Sequence, residues 1–410
     1  MPTEFMKCLY ILLLSILVGK SSAIFVVKRN TLTPIILVPG DGGSQVEAKL
    51  HKEEVVHYLC EKTTQDFFNI WLNMELLVPL VIDCWIDNMK LVYDNVTRTT
   101  SNSKGVEIRI PGFGDTTSIE WLDPSEAFPG AYFKDIANTL VALGYERNIS
   151  LRGAPYDFRK APNENGDYFA RLKALVEETY RINDNHPVII LAHSMGGPMS
   201  LHFLHIQSKA WKDQYIRALV TLSGAWGGSV KALKVYAVGD DLGSYILSES
   251  TLREEQITSP SLAWLMPSSL FWNPDEILIQ TDGKNYTIKD FREFFEAIEY
   301  PMGWEMRKDV ERYSVEFQAP DVEVHCLHGY GVNTINRLIY KPKTFPDGYP
   351  GFLYGDGDGT VNRRSLEGCL KWQGKQKENI YYQTFSSLDH MSILRDKRVL
   401  SYIETLIRKL

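Results

Sequence analysis

The chain of 410 residues is short of cysteine, carries no excess of positive charge and has no long apolar run. With five cysteines in that length, disulfides can pin individual loops but cannot replace a core. Lys and Arg number 44 against 51 Asp and Glu, leaving a formal charge of −7. No dense basic cluster interrupts that balance, and this excludes a nucleic-acid partner, which needs a basic face. The apolar run Leu9–Val18 is far shorter than the roughly 20 residues of a bilayer-spanning helix. No internal repeat or low-complexity linker is visible. What is plentiful is apolar surface, 44% of residues with 12% aromatic, which suits a sizeable core and apolar ligands.

The short run is read as a targeting signal. Lys7 precedes it and Ser21-Ser22-Ala23 offers a small-residue cleavage site, so residues 1–23 are expected to be a secretory signal peptide. Removing it removes Cys8 and leaves Cys60, Cys84, Cys326 and Cys369. An even count in an exported chain reads as two disulfides. Sequence proximity favours Cys60–Cys84 and Cys326–Cys369 among the three pairings. Glycosylation sequons at Asn95, Asn148 and Asn285 agree with a secretory route.

The stretch Pro187–Gly197 organises the rest. A β-branched apolar run, Val188-Ile189-Ile190-Leu191, reaches Ala192-His193-Ser194-Met195-Gly196-Gly197. This is how a buried parallel strand ends in a tight turn and launches a helix, with one serine oxygen raised above the sheet. Ala192 stands where the G-x-S-x-G pattern has its first glycine. Ser194 is the candidate nucleophile.

Pro34–Val38 reads as an early buried strand, followed by Pro39-Gly40-Asp41-Gly42-Gly43-Ser44. Such a loop turns backbone N–H groups inward and can supply half an oxyanion hole, with Asp41 and Met195 as donors. A very apolar segment from Phe67 to Trp85, including Phe68, Trp71, Leu72, Leu76 and Leu77, lies between Cys60 and Cys84. It is expected to meet a lipid surface, with a core helix as the alternative. Val106–Ile110 alternates like a strand, and 135–143 and 169–180 have helical spacing. Ile216–Leu222 is the strand after Ser194, so strand, helix and strand form a parallel crossover. From 224 to 320 the strand rhythm lapses into an expected cap, with 240–254 polar and lid-like. Strands return at Val322–Leu327 and Ile380–Phe385.

A serine hydroxyl needs a base, and the base an orienting acid. Of the downstream histidines, His202 and His205 fall on the helix after Ser194 and His325 within a strand. His390 follows the last strand in a loop, where a base is required. The glycine-rich turn Gly355-Asp356-Gly357-Asp358-Gly359 offers two acids, Asp358 and Asp356. It faintly resembles a calcium loop but lacks that motif's chelating positions and distal Glu. No metal or organic cofactor is expected.

The chain resembles the family of lysosomal phospholipase A2 and, more distantly, lecithin–cholesterol acyltransferase. The likeness runs over essentially all of the mature chain, through Leu37–Asp41, Val56–Cys60, Ile82–Asp87, Gly153–Asp157, Ala161–Asn165, Ala192–Gly196 and Gly355–Asn362. It implies an α/β-hydrolase fold with a mainly parallel sheet, a cap/lid domain and a small membrane-binding insertion. Residues 24–59 and 103–223 would form the first part of the core, 60–102 the insertion, 224–320 the cap and lid, and 321–410 the rest of the core. By the resemblance, Ser194, Asp358 and His390 form the triad, and Asp41 and Met195 the oxyanion hole. Lys231 and Trp226 contact substrate. Departures include Gly197-Pro198 after the elbow, Ala225 before Trp226, and a divergent lid.

The implied reaction moves an acyl chain from a glycerophospholipid to water or to a lipid alcohol such as ceramide. The expected partners are a phospholipid membrane or lipoprotein surface and the lipid alcohol, with no obligate protein partner. The lysosome is the expected compartment, with secretion as a second destination. The alternatives are a phosphatidylcholine–sterol acyltransferase, a non-catalytic lipid-binding protein on the same fold, and a secreted carboxylesterase.

Overall fold

The computed structural model of the protein describes residues 32–127, 130–243 and 247–410. The expected signal peptide lies outside these residues. The centre of the molecule is a six-stranded parallel sheet ordered β15-β12-β9-β8-β1-β7. Its strands are β1 (Ile35–Val38), β7 (Leu151–Gly153), β8 (Val188–His193), β9 (Ile216–Leu222), β12 (Val324–Tyr330) and β15 (Ile380–Ser386). Every pairing is parallel, with Ile36 opposite Ile190 and Ile190 opposite Leu219.

Both faces of this sheet are covered, which is why its strands read as unbroken apolar runs. Along β8, Val188, Ile190 and Ala192 enter one core while Ile189 and Leu191 enter the other. The helix Gly166–Ile182 packs on one face through Phe169, Leu172 and Val176. The C-terminal helix Lys397–Lys409 packs on the other through Val399, Ile403 and Ile407. Each fully buried aliphatic side chain contributes about 1.5–3 kcal/mol, so the sheet is a rigid platform.

Between β1 and β7 the chain makes a separate antiparallel element. The strands β2 (Val46–Leu50), β3 (Phe68–Trp71) and β6 (Val106–Arg109) form a three-stranded sheet, and β4 (Leu91–Asp94) pairs with β5 (Thr99–Asn102). A helix, Ile82–Met89, follows β3 at some distance. Disulfides join Cys60 to Cys84 and Cys326 to Cys369. Closing loops of 24 and 43 residues stabilises by about 3.5 and 4 kcal/mol on chain-entropy grounds. The apolar segment before Trp85 contains the strand β3 and the start of the helix Ile82–Met89. Among the described residues no helix is long and apolar enough to cross a membrane.

Above the sheet lie the helices Val230–Val238, Glu249–Gln256 and Pro301–Val315 and a second, mixed sheet. It is ordered β11-β10-β13-β14, from β10 (Ile279–Gln280), β11 (Asn285–Tyr286), β13 (Thr334–Ile339) and β14 (Gly351–Gly355). Residues 334–355, expected within the core, thus pair with strands of the expected cap. Some described residues of the polar stretch 240–254 are buried. Asp240 is buried and ion-paired with Lys231 and Lys234, and the helix from Glu249 buries Leu252 and Glu255.

Candidate active site

Ser194 sits where β8 turns into the helix Gly196–His205, in the left-handed backbone region at φ 55°. A non-glycine residue there is strained, and the packing around it must hold it in place. The turn closes against the loop after β1. A side chain on Gly196 would place its Cβ 2.5 Å from the Pro39 carbonyl, and one on Gly40 would stand 2.7 Å from the Ser194 Cβ. Only glycine lets the two backbones approach so closely.

His390 lies in the loop after β15, and Asp358 in the turn after β14. His390 Nε2 is 2.8 Å from Ser194 Oγ, and His390 Nδ1 is 2.7 Å from Asp358 Oδ2. Asp358 is fully buried. Its Oδ1 accepts the N–H groups of Thr360 and Val361, and its carbonyl accepts the N–H of His390. Burial opposes its charge, but His390 and these hydrogen bonds overcome that and hold its pKa below the ordinary carboxylate value. Asp356, the other acid of that turn, points elsewhere: it pairs with Arg363 at 2.7 Å and accepts from Gly331 N–H.

The N–H groups of Asp41 and Met195 have no protein acceptor among the described residues. Met195 opens the helix after Ser194, where N–H groups are left over by the helix itself. The Asp41 side chain reaches solvent yet is crowded by protein. Desolvation raises its carboxyl to about 6, against the opposing Gly42 N–H and the charge of Lys231. Lys231 Nζ also meets Asp240 at 3.2 Å.

The remaining expected residues divide. Trp226 is only 4% exposed, with its ring against Gly197, Gly224 and Gly368 and edge-on to Trp372. Its ring braces the turn after β8 through the small residues around it. Leu77 is buried, while Phe68, Trp71, Leu72 and Leu76 are half-buried and packed against the main core. Trp71 stacks near Trp85 and Phe158 and donates its indole N–H to Gly42. Between residues 56 and 80 the outward apolar residues include Val56, Tyr58, Leu59, Met74, Val78 and Leu80, with Tyr58 91% and Leu80 74% exposed. Asn95, Asn148 and Asn285 are all exposed.

Sequence reasoning missed three features. Tyr132 contacts the loop after β1 and His193. Arg159 is fully buried and bonded to Asp157, Met89 and Asn102. Glu255 is buried close to both Arg159 and Asp41. A hint for Arg159 lay in its place just after Gly153–Asp157, but nothing marked Tyr132.

A serine raised at the carboxyl edge of a parallel sheet, with its histidine arriving from the loop after the last strand, is the arrangement of the α/β-hydrolase class. A chain in the crystal structure of the Tle4–Tli4 complex shares the fold with TM-score 0.54 at 11% identity, over 92% of this chain and 98% of that one. Within the class, residues 67–397 match the family described as lecithin:cholesterol acyltransferase, and the chain belongs to that family. It is 46% identical to the lysosomal phospholipase A and acyltransferase of Homo sapiens, over 91% of this chain and 90% of that protein. Likeness to the phosphatidylcholine-sterol acyltransferase of Gallus gallus is 42%, over 89% of this chain and 88% of that protein.

Proposed function

We propose that the protein is a serine phospholipase A and acyltransferase that takes an acyl chain from a glycerophospholipid and passes it to water or to a lipid alcohol such as ceramide. The observation that carries this reading is the hydrogen-bonded series Ser194–His390–Asp358 beneath an unsatisfied pair of backbone N–H groups. In the first half-reaction Ser194 Oγ attacks the ester carbonyl while its proton passes to His390 Nε2. The buried Asp358 carboxylate orients the imidazole and stabilises its cation. Asp41 N–H and Met195 N–H donate to the developing oxyanion. Collapse breaks the ester C–O bond, and His390 returns the proton to the departing lysophospholipid oxygen. In the second half-reaction water or the alcohol gives its proton to His390 and attacks the acyl–Ser194 ester, whose C–Oγ bond breaks as His390 returns the proton to Ser194 Oγ.

Lys231 lies near enough to Asp41 to act on its charge, and it is our choice for contact with the phosphate of the headgroup. The apolar residues exposed on residues 56–80 favour action at a phospholipid surface. The names of the relatives favour a lysosomal residence.

The test is acyl release from phosphatidylcholine liposomes containing short-chain ceramide, at acid and neutral pH, for wild type and Ser194→Ala. Free fatty acid and acylceramide should form with wild type and vanish with the variant. Replacing ceramide by cholesterol separates this reading from a sterol acyltransferase. Unchanged turnover by Ser194→Ala would remove the assignment of the nucleophile. No turnover by either protein would favour a lipid-binding role.

A further inference from the structure

The buried groups around the elbow include two that the reaction as written does not use. Tyr132 and His193 are 4% and 1% exposed, and they hydrogen-bond to each other at 2.6 Å. Tyr132 Oη also receives the N–H of Gly40 at 2.9 Å. His193 Nε2 is 2.9 Å from the main-chain carbonyl of His390.

The direction of every proton in this series is fixed. A carbonyl only accepts, so His193 Nε2 must carry the hydrogen. Burial drives the His193 pKa down to about 3, so the ring is neutral from acid to neutral pH and its Nδ1 is bare. A bare Nδ1 accepts, so Tyr132 O–H donates to it. The same oxygen keeps a lone pair for Gly40 N–H.

We propose that Tyr132 and His193 are positioning residues for the reaction, forming one directional chain that runs from Gly40 N–H through Tyr132 Oη and the His193 imidazole to the His390 carbonyl. The chain spans the floor of the site. One end fixes Gly40, whose neighbour Asp41 carries an oxyanion N–H. The other end fixes the loop that carries His390, and the middle residue is covalently joined to Ser194. Distances that no single element sets are thereby set together: base to nucleophile on one side, oxyanion donor to nucleophile on the other. This rests on the Ser194 reading above and deepens it.

The hydroxyl can be removed without moving the ring. Tyr132 packs edge-on to Phe133 and His193, with centroids 4.8 and 5.4 Å away. Tyr132→Phe therefore keeps its packing and loses both hydrogen bonds. The experiment measures kcat and KM on a soluble ester, and the rate at which a fluorophosphonate labels Ser194. Misplacement of reacting groups by about an ångström costs roughly 100-fold, so we expect Tyr132→Phe to lose about 10- to 100-fold in kcat and in labelling rate. KM should stay near wild type.

A second pair of variants covers the case in which Tyr132→Phe fails to fold. His193→Gln keeps an N–H near the position of Nε2 and should retain more activity than His193→Leu, which keeps none. Wild-type rates in Tyr132→Phe would overturn the proposal, as would equal loss in folded His193→Gln and His193→Leu. Absence of labelling at Ser194 in the wild type would instead overturn the reading of the nucleophile.

Discussion

The indole N–H of Trp71 donates to the carbonyl of Gly42 at 2.8 Å, tying the last residue of β3 to the loop that follows β1. The contact joins the disulfide-stapled insertion to the residue after Asp41. The same ring packs against Phe158 and Trp85. Trp71 thus braces the loop that carries Asp41 from the insertion's side. Trp71→Phe should keep much of the packing and lose the hydrogen bond. We expect a loss of kcat on a soluble short-chain ester of about tenfold, the scale of one hydrogen bond at about 1 kcal/mol plus some loop displacement. If Trp71 served only as a membrane anchor, soluble-ester kcat would not change while liposome binding fell.

Glu255, on the helix Glu249–Gln256, is 6% exposed, and burial raises its carboxyl from 4.5 to about 7. The charge of Arg159 opposes this, and the carboxylates of Asp41 and Asp157 reinforce it. The folded state therefore holds a proton that the unfolded chain releases near 4.5. The stabilisation is complete below that value, is lost as pH rises to about 7, and changes no further above it. A rise of this size corresponds to about 3 kcal/mol. Wild type should lose stability between pH 4.5 and 7 in denaturant titrations, and Glu255→Gln should lose much less. Equal slopes for the two proteins would disprove the assignment. Asp41, raised to about 6, works in the same direction. Acid pH would thus favour the folded packing of this helix.

How much of this was legible from sequence depended on burial. β8 and β9 were readable almost to the residue because both their faces are covered, which leaves an unbroken β-branched run as the signal. β10 and β11, of two residues each, left no such run. β3 was hidden because Phe68–Trp71 lies inside a longer apolar stretch without alternation. Spacing alone left Asp356 and Asp358 open, since both follow a strand in one turn. What distinguishes them is direction, with Asp358 turned inward to His390 and Asp356 outward to Arg363. Tyr132 was invisible for another reason: its partners are 61 and 92 residues distant, and no local pattern encodes a contact at that range.

Arg159 should prove essential to folding rather than to chemistry. It is fully buried, binds Asp157 through two nitrogens, and donates to the Met89 carbonyl and to Asn102. Its own carbonyl accepts the N–H of Ser261. The guanidinium thus joins the insertion to the loop after β7, and the Arg159 carbonyl joins that loop to the cap. Arg159→Met would leave the Asp157 carboxylate without its ion-pair partner, at a cost of about 3–5 kcal/mol. Arg159→Lys should not rescue, because an ammonium cannot reproduce the fork. The double variant Arg159→Met/Asp157→Leu should regain part of the loss in denaturant titrations. A single variant as stable as wild type would refute this account.

Leu80 and Leu77 lie three residues apart and should behave in opposite ways. Leu80 is 74% exposed, near the outward residues Met74 and Val78, whereas Leu77 is 3% exposed and part of the main core. If this face enters a lipid surface, burying Leu80 contributes about 2 kcal/mol to binding and nothing to folding. Leu80→Ser should then weaken liposome sedimentation by roughly 10- to 30-fold while Tm and soluble-ester kcat stay at wild type. Leu77→Ser should do the reverse and lower stability by a few kcal/mol, as loss of a buried leucine does. Tyr58, more exposed still, gives an independent check through Tyr58→Ser. Liposome binding untouched by Leu80→Ser and Tyr58→Ser together would show that the membrane is met by another face.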